Sequence, residues 1–596
     1  MMPHTDLPVL VLLLSPLAAA LLSLAGKVVS ERYISVPAFL IWLAGSAWAL
    51  AVSAGPLFGF SAGGAELTRA AGGILYTLGG WAEPLGITLE LNGITWAATI
   101  TDVCIGTAAW LHIRRDRTYR SSFFFFFFMA LFSLQGVLYT RDLFNLFVWF
   151  EVLSLSSFLL IVHHTGGTAY RAAIRYLIIG TVSIIWYLIG VWILYTCTGT
   201  LSLPTVASSL GQSSFPETLA GSLLSATPVQ AAVALITAGI LTRAAIIPFH
   251  TWLPEAHAAA PYPVSALLSG FVIKAPLLAL WRIYDYVPSS QFGEMLVWLG
   301  AICAVFGVIA AMAQKDAKKL LGYHSVSQMG YIIAAFGFGG LAGKTAALFY
   351  IIAHALFKSL LFITVGRVTD EVGSRDVYTI RGMARVFPLQ ALLFAVAAFS
   401  ISGVPLFAGY TAKILVSDAL YYHGAYWLLT AAGIGTAASF FKLGRIFAGP
   451  FSGKLPGRLP GSAADWGAAF GAVLLAAGCL LLGVFPEAAH RFLTAAVTES
   501  RTLTLTGALG AAHGSAGAPA HIDPSGGPPY QWYALSQLLK SVLSIAAGFL
   551  ISFLLVSKRG KSLSHGIRAR ELGLNGSLRL LTAGFLVLFL FGLFTA

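Results

Sequence analysis

The chain has 596 residues, of which 58% are hydrophobic and only 10% are charged. Soluble domains carry roughly 25% charged residues, so this composition excludes a soluble globular protein and requires an apolar surface that faces lipid. The net charge of +13 would suggest nucleic acid as a ligand of a soluble protein. Here the basic residues lie mostly between apolar stretches, and no nucleic-acid partner is expected.

Long uncharged stretches recur from one end of the chain to the other. Each is near the ~20 residues that cross the hydrocarbon layer of a bilayer as a helix. Transmembrane β-strands would be short and alternating, whereas runs such as Phe123 to Phe128 do not alternate. The first stretch, Leu7 to Gly26, follows no lysine or arginine, which favours a membrane helix over a signal peptide. The sequence predicts an all-α, polytopic transmembrane bundle in the lipid bilayer.

Sixteen helices are predicted and are numbered in chain order. They begin near residues 7, 33, 92, 122, 143, 170, 229, 262, 295, 318, 345, 388, 424, 465, 536 and 576. Helices 1–3 occupy 1–117, together with a glycine-rich external loop whose alternating residues predict a short hairpin. Helix 14 lies in 451–486, and a C-terminal helical pair occupies 535–596. Between them, 487–534 is rich in Gly, Ala and Pro and predicts an external flexible linker.

Lysine and arginine are distributed unevenly over the predicted connections. If the N-terminus lies outside, loops after odd-numbered helices hold 24 of the 36 basic residues and the outer loops hold six. Cytoplasmic loops of membrane proteins carry such an excess. The sequence therefore predicts a multi-pass protein of the cell inner (plasma) membrane with its N-terminus outside.

Several ionisable residues fall inside the apolar stretches, where a charge costs at least about 2.5 kcal/mol. They are Asp102, Glu151, Arg243, Lys274, His354, Lys358 and Lys413. His354 and Lys358 are four residues apart and share a helix face. Burial disfavours the charged form of such groups, so they can exchange protons near neutral pH. Because basic groups outnumber acids, structural ion pairing does not explain the set, which predicts a path for ions, most simply protons.

Prolines interrupt two of the predicted helices, Pro248 in helix 7 and Pro405 in helix 12. The backbone groups that a break frees are tolerated in a membrane only inside protein or beside a water-filled cavity. In the predicted topology the two helices run in opposite directions, which is typical of inverted repeats. We predict two inverted five-helix repeats, helices 4–8 in 118–286 and helices 9–13 in 290–450.

Three histidines allow more than one interpretation. His250 and His257 follow the break in helix 7 and fit a fixed turn better than a metal site. His324, near the inner end of helix 10, fits a relay and an ordinary polar contact equally well. The sequence contains no phosphate-binding loop, nucleotide fingerprint or Cys/His metal spacing, so neither a cofactor nor a redox or hydrolytic active site is expected in this chain.

At these residues the chain resembles the antiporter-like proton-translocating subunits of respiratory complex I. Mrp-type sodium/proton antiporters and membrane-bound hydrogenases contain subunits of the same family. The similar segments are RDLFNLFVWFE, RAAIIPFHTWLPEAHAAAPYPVSALLSG, KKLLGYHSVSQMGY, AHALFKSLLFITVG and GVPLFAGYTAK. The resemblance covers helices 4 to 12 and implies fourteen core helices in two inverted repeats, joined by a hydrophilic axis across the membrane centre.

The resemblance also implies roles for individual residues. Glu151 matches the helix 5 glutamate that modulates a neighbouring basic group, and Lys274 matches the bridging residue of helix 8. His354 and Lys358 match the relay of helix 11. Lys413 matches the helix 12 lysine near the exit.

Arg243 departs from the family pattern, because the resemblance implies a lysine at this position of helix 7. Arginine keeps its charge at any relevant pH. Arg243 is therefore expected to be a fixed electrostatic partner of Glu151 rather than a relay station. Lys274 would then carry the proton in the first half, or that half would conduct differently.

The resemblance implies a proton-translocating subunit of a redox-driven complex of the complex I or hydrogenase type. Its partners would be other membrane subunits, including homologous antiporter-like ones. The first alternative is a sodium/proton antiport subunit of an Mrp-like complex, and the second is a membrane subunit of an inorganic-carbon uptake system. The segment 488–535 lacks the periodicity of a long lateral helix, which favours a hydrogenase-type or Mrp-type assembly. Whether sodium moves as well as protons stays open.

Overall fold

The computed structural model describes most of the chain and confirms the all-α membrane class. The described residues are 7–27, 31–58, 73–81, 83–114, 118–163, 167–212, 227–287, 292–449, 466–509 and 532–556. Within them, eleven helices are long and apolar enough to cross a membrane. Each of the first fifteen predicted helices corresponds to at least one described helix, and helix 16 lies outside the described residues. The total of sixteen therefore stays a prediction.

The first six helices are unbroken. Helices 1 to 6 are Leu7–Leu24, Glu31–Phe58, Gly93–Ile113, Ser121–Tyr139, Leu143–Val162 and Gly167–Thr198. The hairpin expected between helices 2 and 3 is present: strand β1, Ile74–Thr77, pairs antiparallel with β2, Thr88–Leu91. A short helix that the sequence did not predict, Leu203–Gln212, follows helix 6.

Helices 7, 8 and 12 are interrupted. Helix 7 consists of Thr227–Arg243 and Trp252–Ala259, with a 3₁₀ turn at Phe249–Thr251. Helix 8 consists of Tyr262–Leu267, a π-helical turn Leu268–Val272, and Ala275–Tyr286. Helix 12 consists of Pro388–Ser402 and Ala408–Ala419. The breaks at Pro248 and Pro405 therefore lie where the sequence predicts them.

The other helices are continuous. Helices 9, 10, 11, 13, 14 and 15 are Gly293–Ala313, Ala317–Phe338, Gly340–Val372, Ala425–Gly444, Trp466–Val484 and Leu535–Val556. Short 3₁₀ turns lie at Ala25–Lys27, Leu78–Gly80 and Met383–Arg385. The apolar windows of helices 8 and 11 are wholly buried within the protein, so these two helices form the centre of the bundle.

Equivalent backbone contacts occur at the starts of helices 5 and 10. Asp142 caps helix 5 and forms an antiparallel bridge with Ser202. Asp316 caps helix 10 and forms the same kind of bridge with Asp376, at the same sequence separation. The flanking hydrogen bonds match as well: the N–H after each aspartate donates to the carbonyl before its bridge partner, at 2.9 Å in both cases.

A second contact recurs between the first and last helices of the two predicted repeats. In helices 4–8, Arg282 of helix 8 donates to the carbonyls of Val137, Leu138 and Thr140 at the end of helix 4. In helices 9–13, Lys442 of helix 13 donates to the carbonyls of Met312 and Gln314 at the end of helix 9. Both cations satisfy carbonyls that a helix end leaves without partners.

The first part of the segment 487–534 differs from the flexible linker that its composition predicts, and 510–531 lie outside the described residues. A helix, Pro486–Leu509, follows helix 14 directly. Proline is well suited to the first turn of a helix, and the glycine-rich part of the segment begins only after this helix. Ala496 packs so closely on helix 3 that a side chain at Gly93 would collide with it, and the rings of Phe492 and Trp96 lie 5.8 Å apart. Tertiary packing therefore stabilises this helix, although its sequence has no clear helical periodicity of apolar residues.

Candidate ion-translocation site

Five of the ionisable residues singled out above lie together on helices 8, 10, 11 and 12. We call this set the buried row; its members are Lys274, His354, Lys358, His324 and Lys413. The first four are fully buried, and the ammonium nitrogen of Lys413 is shielded from solvent as well. None of the three lysines has a carboxylate within ion-pair distance in the described part of the chain.

Lys274 lies next to the π-helical turn of helix 8. Its ammonium group donates to the carbonyls of Ser269 and Gly270, the latter at 2.6 Å. A π turn displaces carbonyls from the regular helical pattern, and here two of them solvate the buried cation. Helix 11 is close at this point, since a side chain at Gly270 would collide with Ser359. The irregular turn therefore both holds Lys274 and brings helix 11 beside it.

His354 and Lys358 occupy one face of helix 11, as their spacing predicts. The ammonium group of Lys358 donates to the carbonyl of Leu321 in helix 10 at 2.5 Å. Neither ring nitrogen of His354 has a hydrogen-bond partner among the described residues. His354 lies within electrostatic reach of Lys274 and Lys358, and the two lysines also lie within electrostatic reach of each other.

His324 and Lys413 continue the row toward helix 12. His324 lies within electrostatic reach of Lys358 and Lys413, and its ring nitrogens also lack partners in the part of the chain that the structure covers. The Lys413 ammonium nitrogen is 5.9 Å from the centre of the Tyr331 ring. The side chain of Lys413 packs against Gly403, whose φ of +83° and lack of a side chain both permit this approach.

Glu151 and Arg243 form a separate ion pair outside the row. One guanidinium nitrogen of Arg243 lies 2.9 Å from a carboxylate oxygen of Glu151. The other donates to the hydroxyl of Ser154 at 2.5 Å and to the carbonyl of Phe150 at 3.2 Å. The guanidinium also lies over the ring of Phe150 at 5.0 Å. Helix 5 therefore holds Arg243 in one orientation through both terminal nitrogens of its guanidinium group.

A small cavity links this pair with helix 8. It has a volume of about 20 Å³, and Arg243, Val272 and Pro276 are among its lining residues. A water molecule needs about 10–15 Å³ of such space, so the cavity accommodates about one. Val272 and Pro276 are each two residues from Lys274 in sequence, so the cavity brings Arg243 close to the stretch of helix 8 that carries Lys274.

Comparisons with known proteins cover the part of the chain that holds these residues. Residues 140–439, which hold all five members of the row and the Glu151–Arg243 pair, match the model of the transmembrane region of the NADH:quinone oxidoreductase/Mrp antiporter family. The chain belongs to this family. The match begins at the end of helix 4 and extends through most of helix 13.

Individual proteins are similar to this chain in sequence and in structure. NADH-quinone oxidoreductase subunit N of Desulforudis audaxviator is 34% identical over 382 residues, which are 62% of this chain and 74% of that one. A Na(+)/H(+) antiporter subunit of Alkalihalophilus pseudofirmus is 28% identical, with the same shares covered. A chain in the structure of the archaeal membrane-bound sulfane sulfur reductase matches with a TM-score of 0.74 and 25% identity, over 84% of this chain and 99% of that one.

Asp102 lies apart from the buried row. Asp102 is fully buried on helix 3, and neither carboxylate oxygen has a hydrogen-bond partner among the described residues. Its electrostatic neighbours are Cys104 and Tyr139. Its role as a relay member stays a prediction.

His257 was missed as a candidate, because its place after Pro248 suggested a fixed turn. Its ring is fully buried, packs against Phe362 at 4.5 Å and has no hydrogen-bond partner in the described ranges. It lies within electrostatic reach of Lys274 and Lys358, beside His354. One indication of this position was present in the sequence: His257 lies on a short helical segment that must pack against the centre of the bundle.

Proposed function

We propose that this chain translocates protons across the membrane along the buried row, as a subunit of a larger complex. The observation that carries the proposal is the continuity of the row: each histidine lies within electrostatic reach of two lysines, and each lysine ammonium group is buried without a carboxylate partner in the described residues. Uncompensated charges at this depth are costly and are retained where they have a function. A relay whose groups can be neutral or charged fits this arrangement.

The chemistry of the row favours protons over sodium as the ion that moves along it. Amines and imidazoles bind protons, and imidazole changes its charge near neutral pH. Hard metal cations are instead bound by oxygen ligands. The row consists of nitrogen groups only, so it suits a proton relay.

The recurring contacts support two repeats, helices 4–8 and 9–13. Within this proposal, Lys274 serves the first half, His354, Lys358 and His324 join the halves, and Lys413 lies at the exit. Arg243 serves as a fixed charge beside Glu151. The basic loops support an N-terminus on the outside of the inner (plasma) membrane. Helices 7 and 12 are five spans apart, so they run in opposite directions in this topology.

The position of Glu151 supports a neighbouring membrane subunit against helix 5. Its side chain is 42% exposed, and Phe144, Val148 and Leu155 on the same face are exposed as well. A carboxylate within a membrane helix is not stable against lipid. Another subunit, such as a homologous antiporter-like one, would cover this face and receive the electrostatic signal of the Glu151–Arg243 pair.

The energy source in this proposal lies in other subunits, since the chain itself is proposed to hold no cofactor. The sulfane sulfur reductase and the NADH-quinone oxidoreductase that it resembles favour a redox-driven complex. The relative named as a sodium/proton antiporter subunit supports an alternative, antiport in an Mrp-like complex.

Purification of the native complex tests both versions. Its subunits are identified by mass spectrometry, and the complex is reconstituted in liposomes that contain a pH-sensitive dye. Redox subunits and proton uptake driven by their substrate would support the main proposal. Proton movement that depends on a sodium gradient, without redox subunits, would support the alternative, and an intact complex that moves no protons under either condition would refute both.

A further inference from the structure

A second cavity lies beside helix 12, and Phe440 in its wall separates it from His324 of the buried row, with the two ring centres 4.9 Å apart. It has a volume of about 530 Å³, and it lies between the first part of helix 12, the end of helix 13 and helix 15. Its walls are apolar, and include Phe394, Ala398, Phe440, Ile545 and Phe549. Binding pockets for small amphipathic molecules have volumes of about 300–1,000 Å³ and mostly apolar walls.

The cavity exists because helices 13 and 15 touch at one level and separate beyond it. A side chain at Gly548 would collide with Ala437, so the two backbones are in close contact there. Farther along, large rings replace these small residues: Phe441 and Phe549 lie 5.0 Å apart. Phe553, the next ring on helix 15, is 67% exposed. The opening between the helices therefore faces the lipid-exposed surface of the bundle.

A cation that has no acidic partner among the described residues lies at one end of this apolar cavity. Arg445, the residue after helix 13, lines the cavity, and its Nη1 is buried without a hydrogen-bond partner among the described residues. Its guanidinium lies 5.9 Å from the ring centre of Tyr378. Arg381 is close enough to act on it electrostatically, and its Nε is buried without a partner in the same ranges. No carboxylate of the described residues forms an ion pair with either arginine.

The two ends of the cavity therefore differ in chemistry. One end reaches Ser402 and Val404, at the break of helix 12, and offers apolar walls along the way. The other end offers a guanidinium nitrogen that still needs an acceptor. A ligand that satisfies both ends has a long apolar tail and an anionic oxygen-rich head.

We propose that this cavity binds one acyl chain of an anionic phospholipid, whose phosphate accepts hydrogen bonds from Arg445. Basic pockets between transmembrane helices are suited to such head groups, and arginine binds phosphate through two parallel hydrogen bonds. A helix of another subunit would fill the apolar part but would leave the guanidinium without an anion. The bound lipid would fill the gap between helix 15 and the core at the level of the helix 12 break.

Native mass spectrometry of the purified complex tests the proposal. The complex is reconstituted in nanodiscs with equal parts of phosphatidylglycerol and phosphatidylcholine, released, and examined for retained lipid. We expect wild type to retain phosphatidylglycerol selectively. Arg445→Gln should reduce its retention about tenfold or more, since hydrogen bonds to charged groups are worth about 1.5–3 kcal/mol. Arg385→Gln, which removes the same charge from an exposed nearby site, should leave retention unchanged.

A second pair of variants tests the apolar part of the cavity. Ala395→Trp fills it and should displace the lipid, whereas Ala431→Trp adds the same volume on an exposed face of helix 13 and should not. A photoreactive phenylalanine derivative at Phe553 identifies the occupant directly. A lipid adduct supports the proposal, and an adduct with another protein overturns it. Equal retention of the two lipids by wild type, or retention unchanged by Arg445→Gln, would overturn it as well.

Discussion

Replacing Lys358 by methionine separates a functional lysine from a structural one. A lysine at the centre of a membrane helix costs about 2.5–3.5 kcal/mol, and its hydrogen bond to the carbonyl of Leu321 returns about 1.5–3 kcal/mol. The two contributions nearly cancel. The carbonyl keeps its contact with the hydroxyl of Ser325 at 3.3 Å, so the substitution leaves no buried acceptor without a partner at this carbonyl.

The expected result is a stable but inactive complex. The free energy of unfolding should stay within about 2 kcal/mol of wild type, while proton translocation should fall to background, because the row is interrupted between His354 and His324. Thermal unfolding and size-exclusion chromatography of the purified complex measure the first property, and dye-reported proton uptake in liposomes measures the second.

The matched control is Lys315→Met, which removes an exposed lysine at the start of the connection to helix 10. It should alter neither property. The reasoning would be refuted if Lys358→Met pumped protons at the wild-type rate. A large loss of stability that accounted for the lost activity would refute it too, since Lys358 would then be a structural residue.

Two further substitutions test the remaining contacts. Arg243→Lys keeps the ion pair with Glu151 but loses the hydrogen bonds to Ser154 and Phe150. It should lower the free energy of unfolding by about 1.5–3 kcal/mol per lost bond and retain translocation. An assembled but inactive variant would contradict the role of Arg243 as a fixed charge. Lys442→Ala removes two hydrogen bonds from the end of helix 9 and should lower stability by a similar amount per bond, as measured by thermal unfolding. Its translocation rate per assembled complex should stay at the wild-type level, and a selective loss of translocation would show that Lys442 belongs to the row.

Most of the site could be predicted from the sequence because charges in apolar stretches are conspicuous. Lys274, Lys358 and Lys413 each stand alone in a hydrophobic segment, and the prolines at 248 and 405 mark the helix breaks. Spacing of four placed His354 and Lys358 on one face. These inferences need only the local pattern and the cost of burying a charge.

Other features depend on packing and could not be predicted in this way. The π-helical turn beside Lys274 has no sequence signature, and it arises where helix 11 lies against Gly270. His257 lies beside the row because the second segment of helix 7 packs on Phe362. The helix Pro486–Leu509 could not be predicted because the glycine-rich residues after it dominate the composition of 487–534, whereas the packing of Phe492 and Ala496 on helix 3 stabilises it.

In the proposed relay, the two halves differ in the chemistry of their basic residues. The second half holds a lysine whose amine can release a proton, whereas Arg243 in the first half cannot do so. Helix 5 fixes this arginine through three hydrogen bonds. In the proposed relay the first half would therefore depend on Lys274, which the carbonyls of Ser269 and Gly270 hold in place.

Proton translocation by a Lys413→Ala complex is the decisive test of the proposed relay. Lys413 ends the row, and its ammonium nitrogen has no hydrogen-bond partner among the described residues, so its removal breaks no bond that holds the fold together there. The measurement is proton uptake into liposomes that contain the assembled complex, with assembly checked by subunit composition. The account predicts full assembly and no uptake. Wild-type uptake by the assembled variant would contradict it.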